Sequence, residues 1–191
     1  LLASYKDGRA HLNAYLDDYA FLIDGGLELL QARWRDGDLE FLIELAEVLL
    51  DHFEDKDGGG FFFTSDDHET LIHRPKPASD DAVPSGNGVA ALALIRLGHL
   101  LGASHFLDAA HRALVALWRE IERAPAYHNA LLAAVEETLY PTQTIVLRGQ
   151  AAALPPWRER CIRAYAPRRV IIAIPDDARH LPVILARPVP T

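Results

Sequence analysis

The sequence predicts a mainly α-helical fold of antiparallel helical hairpins, with an inserted β-hairpin and a small C-terminal βαβ unit. Apolar residues recur at helical spacing through most of residues 1–141. A polar excursion, residues 58–84, rich in glycine and proline, splits that pattern. After Pro141 the period changes to strand, helix, strand, so residues 142–191 read as an appendage.

A polar start, Lys6 to His11, leads to Asn13, placed to cap a helix running to about Arg33. Tyr15, Leu16, Tyr19, Ile23, Leu27 and Leu30 form its apolar side. Gly25 and Gly26 interrupt it at a cost of roughly 1 kcal/mol each, which predicts close packing against a neighbour or a kink. Asp36 or Asp38 caps a second helix, with Leu42, Leu45, Ala46, Leu49 and Phe53 at helical spacing.

In the excursion, Phe61 to Thr64 and Leu71 to Arg74 read as short strands around the polar tip Ser65 to Glu69. Pro75, Pro77 and Pro84 keep the chain extended until Ser85 caps a third helix, Gly86 to Leu101. That helix is apolar almost all round, which predicts burial on most sides. Gly102 stops it, and Ser104 begins a fourth with Phe106, Ala110, Ala113, Leu114, Leu117 and Ile121 on one face. Pro125 opens a fifth, reaching about Leu139.

The first, third and fifth helices are the more apolar or begin with polar groups, whereas the second and fourth are one-sided. Stacked hairpins with inner and outer helices produce that alternation. Strands at Gln143 to Leu147 and Val170 to Ile174 flank a helix over Pro155 to Ala164, a right-handed crossover unit. No glycine-rich fingerprint follows its first strand, so no dinucleotide site is expected. The stretch Leu181 to Thr191 carries three prolines and predicts no regular element.

Composition removes several function classes. A net charge of −8 without a basic run argues against a nucleic-acid surface. No apolar stretch is long enough to span a bilayer, and no signal peptide is expected. One cysteine, Cys161, excludes an internal disulfide and fits a reducing, cytoplasmic compartment. The absence of methionine leads to the expectation of a piece of a larger protein.

His11 to Gly25 (HLNAYLDDYAFLIDG), Gly58 to Arg74, and Arg74-Pro-Lys76 followed by Pro84-Ser-Gly-Asn87 carry a resemblance. They resemble the C-terminal half of the family of spermatogenesis-associated protein 20 and its bacterial relatives. These are large proteins with an N-terminal thioredoxin-like domain fused to a six-hairpin α/α toroid. The toroid is similar to N-acylglucosamine 2-epimerases and six-hairpin glycosidases. The resemblance covers almost the whole chain and is carried by DDHE, RPK and PSGN together.

It implies a partial, six-hairpin glycosidase-like toroid. The first hairpins, the thioredoxin domain and a closely spaced cysteine pair past the C-terminus are lacking. It also implies epimerase-, isomerase- or glycosidase-like acid/base chemistry on a carbohydrate-like substrate in the full-length protein, without a cofactor. The alternative is a non-catalytic ligand-binding or interaction domain serving the thioredoxin module. The implied partners are a carbohydrate-like small molecule, the remaining hairpins and the thioredoxin domain. An uncovered apolar face also implies self-association of the fragment.

Toroids of this kind place their site where the inner helices begin, with the excursion draped over it. Asp17 and Asp18, in the first turns of the first inner helix, can bind hydroxyls or act as acid and base. They can equally complement the helix dipole, and the sequence leaves open which one faces inward. Tyr19 and Asp67 join the candidate binding set.

At the tip, Asp66, Asp67, His68 and Glu69 supply either a base and a polyol clamp or a solvated turn. His68 and His73 are the histidines best placed for proton transfer. Arg74, with Lys76, suits an anionic or polyhydroxylated group, or else pairs with Asp80 or Asp81. Ser85 and Asn87 cap the third helix and can hold an anion there. His128, beside Asn129 at the start of the fifth helix, completes the set.

No metal site is expected. Asp55-x-Asp57 approximates a calcium loop, but Gly59 and Phe63 fall at ligand positions. The other histidines, including His52, show no ligand cluster in the sequence. Cys161 reads as a structural thiol.

Overall fold

The computed structural model describes residues 1–69 and 71–186. Residues 187–191, the end of the proline-bearing stretch, lie outside the described residues. The chain opens with an antiparallel hairpin of β1 (Leu2–Lys6) and β2 (Arg9–Asn13) where the sequence pattern suggests only a polar start. Its cause is the Asp7-Gly8 turn, in which both residues take positive φ, 52° and 77°. That pair matches the twist of a tight hairpin.

Helix α1 (Leu16–Ala32) follows, then α2 (Asp38–His52), α3 (Gly86–Leu101), α4 (Ser104–Arg123) and α5 (Asn129–Leu139). Asn13 does not cap α1, because it ends β2 and its amide donates to Asp67 instead. The cap is Tyr15, whose N–H donates to the Asp18 carboxylate at 2.9 Å. Pro125 opens a separate 3-10 turn, Pro125–Tyr127, ahead of α5. For α3 the cap is as expected: Ser85 Oγ accepts from Gly88 N–H at 3.1 Å, and Gly102, at φ 65°, ends the helix.

The apolar residues of α3 place it at the centre, packed against α1, α4 and α5, while α2 packs on α1. Gly86 lies against Leu16 and Asp17, and Gly88 against Ala130 and Leu131, so α1, α3 and α5 begin at the same end. The outer helices return antiparallel: Gly26 of α1 meets Leu42 of α2, and Gly98 of α3 meets Leu107 of α4. The close packing expected at the Gly25–Gly26 pair resides in Gly26, where a β-carbon would strike the Leu42 side chain. The result is two antiparallel helical hairpins and a fifth helix, in the inner and outer roles the patterning predicts.

The excursion departs from expectation. Among the described residues Phe61 to Arg74 contains no strand pair: Phe61 makes one isolated bridge to Glu54, and Phe63 N–H donates to Pro75 O at 2.8 Å. The strand positions have other partners. Phe61 N–H is taken by the Asn87 side chain and Phe62 N–H by Phe53 O. Pro75 and Pro77 have no N–H to extend a ladder. Ile72 stands fully exposed, so no apolar face drives pairing.

The C-terminal unit is as patterned: β3 (Gln143–Gly149) and β4 (Arg169–Pro175) pair in parallel around α6 (Leu154–Ile162). Ile172 and Ile174 enter the main core beside the helices. The unit covers the far end of the inner helices, where Leu27, Leu100, Glu137, Val170 and Ile172 line a narrow cavity. Buried Glu137 is satisfied by Thr142, whose N–H and Oγ both donate to its carboxylate at 2.7 Å. Among the described residues no helix is long and apolar enough to cross a membrane.

Candidate functional site

The starts of α1, α3 and α5 are tied together by the excursion. Leu16 N–H donates to Phe63 O at 3.0 Å, which fixes the excursion over α1. Asp80 serves two helices at once: its carboxylate accepts from Ser85 N–H at 2.9 Å and from Ala130 N–H at 3.1 Å. Its own N–H donates to Tyr127 O at 2.7 Å. A carboxylate at two helix N-termini satisfies orphan donors and complements both dipoles.

Asn87 is fully buried in the first turn of α3 and is saturated by backbone. Its Oδ1 accepts from Phe61 N–H at 2.8 Å, and its Nδ2 donates to Phe61 O and Pro77 O, both at 2.9 Å. Ser85, also buried, has its hydroxyl engaged in the α3 cap.

Arg74 does not form the ion pair considered for it with Asp80 or Asp81. Its Nη2 donates to Thr64 O at 2.5 Å and His52 O at 3.4 Å, and the guanidinium lies 4.2 Å from the Phe62 ring centroid. The fork reads backbone carbonyls because Asp80 is committed to the helix starts. Lys76 is likewise engaged, by Asp55 at 2.6 Å and Gly59 O at 2.8 Å. Asp55 in turn accepts from Gly58 N–H, so the pair closes the glycine loop.

Asp17 and Asp18 have different surroundings. The Asp18 carboxylate is held by the Tyr15 N–H. Asp17 turns toward α3, its Oδ1 buried against Gly86 without a hydrogen-bond partner. Burial first, then the Asp18 charge, pushes the Asp17 carboxyl above the usual carboxylate range. Tyr19 is buried against Phe53, and burial raises its phenol before Asp67 and Asp18 add to the shift.

His128 is 4% exposed. Its Nδ1 faces Ala124 O at 2.8 Å, and a carbonyl only accepts, so the proton sits on Nδ1 and Nε2 is left as a buried acceptor without a partner. His68 packs beside Tyr15, and its Nδ1 is also buried and unpartnered. Among the described residues, Asp17 Oδ1, His128 Nε2 and His68 Nδ1 are thus buried proton-handling atoms without a hydrogen-bond partner.

The sequence pattern gave no sign of two further residues. Asp80 looks like one more loop carboxylate, and only the meeting of α3 and α5 gives it two partners. His52, at the end of α2, meets the tip: its Nδ1 lies 2.7 Å from Asp66 Oδ1, with Asp67 adjoining. The tip's return to α2 depends on Arg74 and the Phe62 ring, and no spacing rule reveals it.

No family model matches the chain. Over 178 residues it is 30% identical to spermatogenesis-associated protein 20 of Rattus norvegicus and 29% identical to that of Homo sapiens, covering 89% of this chain. It is also 25% identical, over 144 residues and 75% of its length, to an uncharacterized protein of Caenorhabditis elegans. The chain is therefore homologous to spermatogenesis-associated protein 20, and it spans about a quarter of that protein's length, 23% in the rat and human relatives.

Proposed function

We propose that this chain is part of a larger α/α-toroid protein, fused to a thioredoxin-like domain, that binds and transforms a carbohydrate-like substrate by acid/base chemistry. The site is the end where α1, α3 and α5 begin, and Asp17 is the proton-transferring group. The observation that carries this reading is the Asp17 carboxyl, with one oxygen buried and unpartnered and its affinity for a proton raised by burial. A carboxyl whose proton affinity is raised by burial keeps its proton to higher pH than an ordinary carboxyl and can deliver it. His128 Nε2, a second buried atom without a partner, lies at the start of α5 at the same end.

A second reading is favoured by a specific observation: the side chains of Asp18, Arg74, Lys76, Ser85 and Asn87 each hydrogen-bond to the chain itself. On that reading the domain binds a ligand or partner for the thioredoxin module without chemistry. The two are separated by screening sugars and polyols for thermal stabilisation of the full-length protein, wild type and Asp17→Asn. A sugar that stabilises both forms and is altered only by the wild type supports the catalytic reading. Binding without alteration supports the second, and no binding sugar removes the carbohydrate assignment.

A further inference from the structure

The tip of the excursion and the end of α2 bring together ligand chemistry that the toroid reading does not use. The ligating atoms of His52, Asp66 and Asp67 all lie within 4.8 Å of one another. They come from the end of α2 and from the excursion tip, and are held from outside the cluster. The Asn13 amide at the end of β2 donates to Asp67 at 3.3 Å, and Arg74 donates to the carbonyls of His52 and Thr64. His52 is the last residue of α2, at the negative end of the helix dipole.

A second observation comes from the two residues that precede the aspartates in the chain. Thr64 and Ser65, the two residues before the aspartates, are 4% and 6% exposed, and both hydroxyl oxygens lack a hydrogen-bond partner. Buried polar atoms without protein partners call for a water or an ion. We propose that His52, Asp66 and Asp67 bind a divalent transition-metal ion of the zinc class.

The ligand set selects the ion. One imidazole nitrogen and two carboxylates suit Zn²⁺, whereas Ca²⁺ takes six to eight oxygens from its surroundings. Three protein ligands leave a coordination position for water, so the site is open. Binding at Nδ1 displaces the proton that His52 shares with Asp66 at 2.7 Å, and the neutral imidazole then carries its one proton on Nε2. Arg74, whose charge acts on Asp66, faces the cluster and offsets part of its negative field.

The test is calorimetric titration of the metal-free protein with Zn²⁺, and separately with Ca²⁺, for wild type, His52→Gln, Asp67→Asn and Asp51→Asn. One Zn²⁺ per chain is expected, with affinity reduced at least about tenfold by His52→Gln and by Asp67→Asn and unchanged by Asp51→Asn. Among the described residues the Asp67 side chain hydrogen-bonds to the Asn13 amide near the surface, so Asp67→Asn should keep the fold, and its melting point checks this. Absence of saturable Zn²⁺ binding, binding untouched by both ligand substitutions, or equal affinity for Ca²⁺ would each overturn the proposal.

Discussion

Asn87 and Phe61 hydrogen-bond to each other in both directions: Phe61 N–H donates to Asn87 Oδ1 at 2.8 Å, and Asn87 Nδ2 donates to Phe61 O at 2.9 Å. One buried side chain thus replaces the strand that Phe61 lacks. Asn87→Ala leaves the Phe61 N–H, Phe61 O and Pro77 O without partners, and is expected to destabilise by roughly 2–4 kcal/mol. A denaturant melt checks this. Asn87→Asp should be as damaging, because the carboxylate cannot donate to either carbonyl.

Arg74 is a scaffold residue by its contacts. Arg74→Ala removes a charge-assisted bond to Thr64 O and the stack on Phe62, for an expected loss of about 1.5–3 kcal/mol. Arg74→Lys should recover part of this loss. Affinity for any ligand found by the sugar screen should be unchanged in the folded variant. A large affinity loss at unchanged melting midpoint would return Arg74 to the site.

The His52–Asp66 pair gives a pH signature. The hydrogen bond that His52 Nδ1–H donates to Asp66 is the main cause holding His52 above its ordinary 6.5, and the same bond holds Asp66 below its ordinary 3.8. A raised histidine contributes stability that is complete below 6.5 and lost as pH rises through its folded value. A lowered aspartate contributes stability present above 3.8 and lost as pH falls through its folded value. The pair therefore stabilises most between those limits. Both groups are solvent-accessible, so the effect is small, under about 1 kcal/mol. Melting points of wild type and His52→Gln in chelator should differ most near pH 5 and converge above neutrality.

Much of the helical frame was legible in the sequence, and the excursion was not. The bounds of α3 follow from Ser85 and Gly102, whose capping chemistry is local. The β3–α6–β4 unit follows from a change of period. The Asp7-Gly8 signal for the first hairpin is also local, but the exposed strands beside it carry no apolar alternation. Phe61 to Arg74 reads as a hairpin because aromatic content suggests strands. The competing partners, Asn87 and Phe53, lie on other elements and leave no trace in local pattern. For the site, the capping role of Ser85 was foreseeable, whereas the bond between Tyr15 N–H and Asp18, the Asp17 orientation and the double cap by Asp80 were not.

Two apolar grooves remain at the edges of the helical array. Phe21, Leu22, Leu29 and Phe41 line one between α1 and α2, and Val115, Trp118 and Leu139 line another between α4 and α5. Patches of this kind drive association. The isolated chain should self-associate with rising concentration in light scattering and bind a hydrophobic dye. Trp118→Lys with Phe41→Lys should reduce both. A wild-type chain that stays monomeric without dye binding would contradict the view that further hairpins cover these edges.

Asp17 carries the account. Its carboxyl is raised, so the charged form is disfavoured in the fold, and stability is lost as pH rises above its unfolded value of 3.8. Asp17→Asn removes that penalty and should melt higher than wild type at pH 7. The most direct test is NMR of a binding sugar incubated with the full-length protein at pH 7, wild type against Asp17→Asn. Conversion by the wild type alone, with the sugar still bound by the more stable variant, is the predicted result. Conversion at equal rates by both proteins would contradict the assignment of Asp17 as the proton-transferring group.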